Sequence, residues 1–243
     1  MGLVSAPEEA TSLGRVLVVE DERTLAGMVA AYLSRAGFQT DVVHTGTEAV
    51  VAVRNSHPDV VILDLGLPGL DGIEVCRQIR TFSNCYVIIT SARKEEIDTL
   101  IGLSVGADDY LTKPFSVREL TARVQAVMRR PRTGDRAHVD EDATVWSFGK
   151  LRVDPLGHEV HLEGEPVLLT PTERDLLITL AARPAMAFSR RQLIDEVWGS
   201  GWVGDEHLVD VHIAHLRRKL GDDPDTARYV TTVRGVGYRM GKG

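Results

Sequence analysis

Only two cysteines, Cys76 and Cys85, occur in 243 residues, and they form neither a metal-binding spacing nor a disulfide framework, so a reducing cytoplasm is the expected compartment. No apolar run approaches the roughly 18 residues that a membrane-spanning helix needs, and no membrane partner is expected. Residues 1–13 carry Glu8 and Glu9 without a basic cluster, which argues against a secretory leader. Met1-Gly2 is followed by Ala6, where an N-myristoylation signal has Ser or Thr, so a frayed polar tail is expected. A basic excess is missing too. Residues 131–243 hold 15 Lys and Arg against 18 Asp and Glu, a balance of −3, so any nucleic-acid binding there depends on where the charge is placed.

What is present is an ordinary globular composition, long enough for two modest domains with cores of their own. Five short apolar runs occupy the first half. Arg15-Val16-Leu17-Val18-Val19 leads into Glu20-Asp21, Val60-Val61-Ile62-Leu63 into Asp64, Tyr86-Val87-Ile88-Ile89 into Thr90-Ser91, and Tyr110-Leu111-Thr112 into Lys113-Pro114. The remaining run, Thr40-Asp41-Val42-Val43, ends without a reactive group. Runs of this length alternating with helical patterns predict an α/β domain with a doubly wound, five-stranded parallel sheet. The carboxyl ends of its strands share one edge, where ligands bind in open α/β folds. Three acids, a hydroxyl and an ammonium therefore converge there.

That set suits a divalent cation and a phosphoryl group. A carboxylate attacks a phosphoryl group poorly because both are anionic, so the reaction needs neutralisation and positioning. Asp64, at a strand end, is the best-placed nucleophile. Glu20 and Asp21, together with Asp64, offer the hard oxygens that suit Mg²⁺. Lys113 brings a compact positive charge for a phosphoryl oxygen, and Thr90 a short donor that can move toward the phosphate.

Between residues 131 and 143, Pro131-Arg132-Thr133-Gly134-Asp135-Arg136 and Asp140-Glu141-Asp142 carry no apolar periodicity, which marks a linker between domains at 14–130 and 144–241. Beyond it the grammar changes to an α+β pattern. Leu151-Arg152-Val153-Asp154 and Glu159-Val160-His161-Leu162 flank Pro155-Leu156-Gly157 as a hairpin, and Pro166-Val167-Leu168-Leu169 reads as a further strand. Thr170-Pro171-Thr172-Glu173 opens a helix, with a cap hydroxyl, Pro at the first helical position and an acid three residues after the cap. Helices are predicted at 172–182, 189–198 and 205–220, and a second hairpin closes the domain over Thr231–Arg239.

The ordered set Glu20-Asp21, Asp64-x3-Pro68-Gly69-x-Asp71-Gly72, Thr90-Ser91-Ala92, Gly106-Ala107-Asp108-Asp109-Tyr110 and Lys113-Pro114-Phe115 resembles the receiver domain of bacterial response regulators. Leu169-Thr170-Pro171-Thr172-Glu173, Val197-Trp198-Gly199, Val209-Asp210-Val211-His212 and Thr232-Val233-Arg234-Gly235-Val236-Gly237-Tyr238-Arg239 resemble the winged-helix domain of the OmpR/PhoB class. The likeness spans about residues 15–240. It implies a flavodoxin-like receiver followed by an α+β winged helix-turn-helix domain. It also implies phosphorylation of Asp64 by a sensor histidine kinase, a homodimer on phosphorylation, and binding to double-stranded promoter DNA. The backbone carbonyl of Gly66 is implied as a metal ligand. Thr90 and Tyr110 are implied as the switch pair, the hydroxyl bonding the phosphoryl group and the aromatic turning into the vacated space.

The resemblance further implies cross-dimer ion pairs from Asp108, Asp109, Glu119, Arg123 and Arg130. On the helix at Ser116–Arg129, the stripe Val117, Leu120, Val124 and Val127 leaves Arg118, Glu119, Arg123 and Arg130 outside. Glu119 and Arg123 are equally spaced to pair with each other at i,i+4. The chain departs from the family at Thr99, where a basic partner for Glu119 is usual. It also departs at Gly66, where a bulkier side chain is common, and at Cys85, where Pro is common.

On the helix at 205–220, Val209, Ile213, Leu216 and Leu220 form an inward stripe. The opposite face carries His207, Val211, Ala214, His215 and Arg218, with Arg217 at its flank. Such a helix fits the major groove, where Arg reads guanine and Val meets a thymine methyl. His212 joins His215 as a surface pair on the same helix, short of the ligands a zinc site needs. Arg234, at the tip of the closing hairpin, is positioned to enter the adjacent minor groove. The family often carries basic residues where Ala214 and His215 stand, so fewer charged contacts are expected on this helix.

Gly199-Ser200-Gly201-Trp202-Val203-Gly204 fits the dinucleotide fingerprint but follows a helical pattern instead of a strand, so it is a helix–helix loop. By resemblance the loop contacts RNA polymerase; a flexible turn is the alternative. Two other functions stay open from the residues alone. One is a phosphorylation-independent DNA binder that keeps the receiver for dimerisation. The other is an aspartyl-phosphate phosphatase or phosphotransferase; such enzymes usually place a second acid where Gly66 stands.

Overall fold

Alternate residues of the central strands leave to opposite faces, and both faces are covered, which is why these strands are apolar throughout. The structure, a computed structural model, describes residues 12–92, 105–128, 145–202 and 204–243. Strands β1 (Arg15–Val19), β2 (Gln39–Val43), β3 (Val60–Asp64), β4 (Tyr86–Ser91) and β5 (Asp109–Thr112) form one parallel sheet in the order β2-β1-β3-β4-β5. Leu17, Val19, Val61, Leu63, Val87 and Ile89 pack with Ala49 and Val53 of α2 (Gly46–Ser56) and with Val75 and Ile79 of α3 (Gly72–Arg80). Val16, Val18, Val60, Ile62 and Ile88 pack with Val29 and Leu33 of α1 (Arg23–Arg35) and with Leu120 and Val124 of α4 (Val117–Met128). The expected doubly wound sheet is present.

Short polar contacts set the helix starts. Thr45 Oγ1 accepts from the Glu48 amide at 3.3 Å, and Asp71 Oδ1 from the Ile73 amide at 2.8 Å. Gly72 begins α3 directly against the Asp64 carbonyl oxygen, and a Cβ there would collide with it. This close approach of α3 to the end of β3 is one reason the acidic edge is compact.

The second domain has a four-stranded antiparallel sheet, β6 (Trp146–Phe148), β7 (Leu151–Asp154), β8 (Glu159–Leu162) and β9 (Glu165–Pro166). Three helices follow, α5 (Pro171–Ala182), α6 (Arg190–Val197) and α7 (His207–Lys219). The sheet β10-β12-β11, built from β10 (Phe188–Ser189), β11 (Val230–Val233) and β12 (Gly237–Met240), closes the chain. The capping box read from the sequence forms: Thr170 Oγ1 accepts from the Glu173 amide at 3.3 Å and Glu173 Oε2 from the Thr170 amide at 2.8 Å. Ser189 and Gln192 make a second box at the start of α6.

Two expectations are corrected. The strand expected over Pro166–Leu169 is only Glu165–Pro166, because Leu168 is 79% exposed and just the Val167 amide continues to bond Val160, at 2.8 Å. Arg123, expected on the outer face of its helix, is 7% exposed. Its guanidinium lies against Asp109 and beneath Trp202 of the second domain, so the outer face of α4 is covered at Arg123 while Arg118 stays exposed. The apolar cluster under α2 and α3 likewise continues into the core of the second domain. The linker at 131–143, Arg130 and Thr99 lie outside the described residues.

Candidate phosphoacceptor site and nucleic-acid interface

Parallel register brings the ends of β1, β3 and β4 together: Val19 pairs with Leu63, and Asp64 with Thr90. Glu20, Asp21 and Asp64 place one carboxylate oxygen each within 4.8 Å of one another. Glu20 and Asp64 are buried and Asp21 is exposed, so the trio opens to solvent on one side. Three carboxylates so close repel, and Lys113 offsets the repulsion. Its Nζ donates to Glu20 Oε1 at 2.9 Å and to Asp64 Oδ2 at 2.9 Å.

Burial alone would lower the Lys113 pKa, but the hydrogen bonds to Asp64 and Glu20 outweigh it and leave the ammonium pKa raised. Burial raises the Glu20 pKa, the Lys113 hydrogen bond opposes this, and the Asp64 charge adds to the rise. The Gly66 amide donates to Asp64 Oδ1 at 3.1 Å. A Cβ at Gly66 would sit 3.5 Å from Asp64 Oδ2, an ordinary contact, so the backbone here does not itself demand glycine.

Thr90 is 1% exposed, and its Oγ1 has no hydrogen-bond partner among the described residues. A buried hydroxyl without a partner costs about 1–3 kcal/mol. Tyr110, half-buried on β5, is in register with Ile89, one residue before Thr90. Hard oxygens, a fixed ammonium and an unsatisfied hydroxyl on one strand edge fit a divalent cation beside a phosphoryl group.

The second surface is α7. With 100° between successive residues, His207, Val211, Ala214 and Arg218 fall within about 60° of arc on one face. His207, Ala214 and Arg218 are exposed and Val211 is half-buried. Val209, Ile213, Leu216 and Leu220 are buried as the periodicity predicts. His212, His215 and Arg217 are buried too, contrary to their expected outward placement. Arg217 donates to the Val230 carbonyl from Nε at 3.0 Å and to Thr232 Oγ1 from Nη2 at 2.8 Å, so it fastens the helix to β11. His212 lies tilted against Trp198 with ring centroids 5.6 Å apart, and His215 meets His212 edge-on at 6.5 Å. A helix packed on two sides buries a wider arc than one apolar stripe reveals.

Arg234 is exposed at the turn joining β11 to β12. Sequence reasoning missed Asp210, which binds Arg190 Nε at 2.8 Å, the Tyr238 hydroxyl at 2.6 Å and His207 Nδ1 at 3.0 Å. It ties the exposed helix face to α6 and to the hairpin. An acid among the basic residues of that helix was the available signal.

Of the residues expected at a dimer face, Asp108, Asp109 and Arg123 contact the second domain in this chain. Asp108 Oδ2 accepts from Arg80 and from the Val87 amide, while Oδ1 accepts from the Thr172 amide at 3.2 Å. Asp109 binds Arg123 Nη1 at 2.8 Å and accepts from Trp202 Nε1 at 3.3 Å. Glu119 Oε1 accepts from Arg123 Nη2 at 2.9 Å, the i,i+4 pair anticipated as an alternative. The loop at 199–204 thus turns Trp202, 6% exposed, toward the receiver.

An open α/β sheet with this acidic edge, joined to a helix-and-hairpin domain, defines a phosphate-handling signal domain coupled to a nucleic-acid binder. Comparison with known proteins agrees. The response regulator receiver domain family matches residues 16–125, and the family described as "Transcriptional regulatory protein, C terminal" matches 164–240. The DNA-binding response regulator MtrA of Mycobacterium tuberculosis is 44% identical over 227 residues, covering 93% of this chain and 96% of that protein. CseB of Streptomyces avermitilis, a transcriptional regulatory protein, is 42% identical over 232 residues, covering 93% and 97%. Among solved structures, a RitR mutant superposes with a TM-score of 0.75 at 28% identity over 95% of this chain and 100% of that one. DrrB of Thermotoga maritima, an OmpR/PhoB homologue, gives 0.50 at 30% identity over 93% and 98%. The chain belongs to the OmpR/PhoB class of DNA-binding response regulators of two-component systems. It is a transcription factor and not a turnover enzyme. No helix among the described residues is long and apolar enough to cross a membrane.

Proposed function

We propose that Asp64 accepts a phosphoryl group from a sensor histidine kinase, and that the modified protein pairs through its receiver and binds double-stranded promoter DNA in the cytoplasm. One Asp64 oxygen attacks phosphorus as the bond to the kinase imidazole nitrogen breaks, and that nitrogen keeps the electron pair. Glu20, Asp21 and Asp64, with the Gly66 carbonyl, would hold Mg²⁺, which supplies positive charge against two anionic reactants. Lys113 stays beside Asp64 and transfers one of its hydrogen bonds to a phosphoryl oxygen.

The observation that carries this reading is the buried Thr90 hydroxyl, unsatisfied and in register beside Asp64. A phosphoryl oxygen would give it the acceptor it lacks, and Tyr110 would follow the threonine. Asp108, Asp109, Glu119 and Arg123, with Arg130, would then exchange present contacts for those of a second copy. His207, Val211, Ala214 and Arg218 would face the major groove, with Arg234 in the minor groove. The loop at 199–204 would be free for RNA polymerase.

Labelling by acetyl phosphate with Mg²⁺ tests the assignment. Asp64→Asn is expected to abolish it and Asp21→Ala to suppress it. Asp59→Ala, whose carboxylate instead bonds the Arg15 amide at 2.7 Å, should keep it. Full labelling of Asp64→Asn would place the acceptor elsewhere.

A further inference from the structure

One contact between the domains comes from the reading helix itself. His212 Nε2 lies 3.2 Å from the Asp108 carbonyl oxygen, and the residue is 1% exposed. Around it the Tyr86 hydroxyl donates to Asp175 at 2.8 Å, Trp202 to Asp109, and the Thr172 amide to Asp108. We infer that His212 makes this closed arrangement a proton-sensitive latch: the neutral imidazole holds the domains together, and the imidazolium parts them.

The physical reason is desolvation. The Asp108 carbonyl accepts from either form of the ring, so protonation leaves that bond intact; what it adds is a buried charge. The groups that face the ring do little to offset this. The Asp108 carboxylate, before β5, is already engaged by Arg80, and Glu173 of α5 is already paired with Lys219 at 2.6 Å. From its own helix His215 opposes a second positive charge, and Trp198, at the end of α6, presents a ring. Burial outweighs the attraction of Asp108 and Glu173 and lowers the His212 pKa to about 4. His215 is held at about 4 as well, by burial and then by Arg218 and Lys219 of its own helix, and no hydrogen bond joins it to the receiver among the described residues.

Once the domains part, the His212 ring regains water and an ordinary pKa near 6.5. The closed-to-open ratio then falls about tenfold between pH 7.5 and 5.5. Acidification would therefore free the receiver face and α7 with no phosphoryl group on Asp64, a second input to the same surface.

The Thr172 amide reports the opening directly, because its partner, the Asp108 carboxylate, lies across the contact. Hydrogen exchange at this amide in the full-length protein, corrected for the intrinsic pH dependence of exchange, is compared with that of His212→Gln. The glutamine amide keeps a donor for the carbonyl but does not titrate. Protection is expected to fall about tenfold in the wild type and to stay level in His212→Gln. No fall in the wild type, or an equal fall in both proteins, overturns the latch. If His212→Gln is unprotected already at pH 7.5, Trp202→Phe decides. It weakens the other end while His212 remains, so protection should drop at both pH values with the tenfold ratio preserved. A pH-independent Trp202→Phe protein would refute the inference.

Discussion

Thr90→Val separates what the hydroxyl costs from what it does. Valine keeps the β-branched shape that suits β4 and removes only the polar atom. In the wild type that atom is buried without a partner, among the described residues, in a strand flanked by Asp64 and Leu111. Leaving a hydroxyl unsatisfied costs about 1–3 kcal/mol, and replacing it with a methyl group returns part of this. The variant should therefore be more stable than the wild type by about 1 kcal/mol, or a rise of roughly 2–4 °C in Tm for a chain of this size. Labelling of Asp64 should persist, since the nucleophile, the acidic trio and Lys113 are untouched. The phosphorylated variant should nonetheless fail to dimerise, because nothing draws β4 toward the phosphate. Urea titration of the unmodified protein and sedimentation of the phosphorylated one measure the two effects. A loss of stability on Thr90→Val would mean that the hydroxyl is satisfied at rest, and the proposed trigger would be wrong.

Lys113→Met leaves Glu20 and Asp64 facing each other without their cation and should cost about 1–3 kcal/mol. Millimolar Mg²⁺ should restore most of this in a urea titration, and no recovery would count against a cation at that edge. Arg234→Ala should weaken binding to most DNA sites and flatten the salt dependence by about one unit. Val211→Ala should relax preference at one base position with the salt slope unchanged, and competition across a site library at two salt concentrations reads both. Because the folded-state pKa of His212 is depressed to about 4, the unfolded chain binds its proton first as pH falls below 6.5. Stability is therefore present above that pH and declines by about 1.4 kcal/mol per unit until the folded pKa is reached. His212→Gln should remove one such slope from a pH series of unfolding midpoints.

The acidic edge was legible because strand ends in a parallel sheet converge whatever the loops do, so Glu20, Asp64, Thr90 and Lys113 could be placed together from apolar runs alone. The capping box at Thr170 was equally local. What failed was non-local. β6 and β10 are three and two residues long, too short for any periodicity, and exist only through pairing with β7 and β12. Arg123 and His212 satisfy the rules for outward helix positions, and residues distant in sequence bury them: Asp109 and Trp202 for Arg123, Trp198 and the Asp108 carbonyl for His212. Arg217 shows the same limit, since its partners on β11 lie 13 and 15 residues further along the chain.

The capping of α5 by a receiver carboxylate has a bearing on how such a chain can be re-engineered. The Thr172 amide finds its acceptor in Asp108, and the Trp202 indole finds one in Asp109, so each half completes the hydrogen bonding of the other. The halves are then poor interchangeable parts. A chimera that grafts residues 145–243 onto a foreign receiver inherits a reading helix with its back uncovered. It should behave as a permanently released protein unless the new receiver carries paired acids at the start of its fifth strand. Any transplant of this output would need those two side chains carried with it.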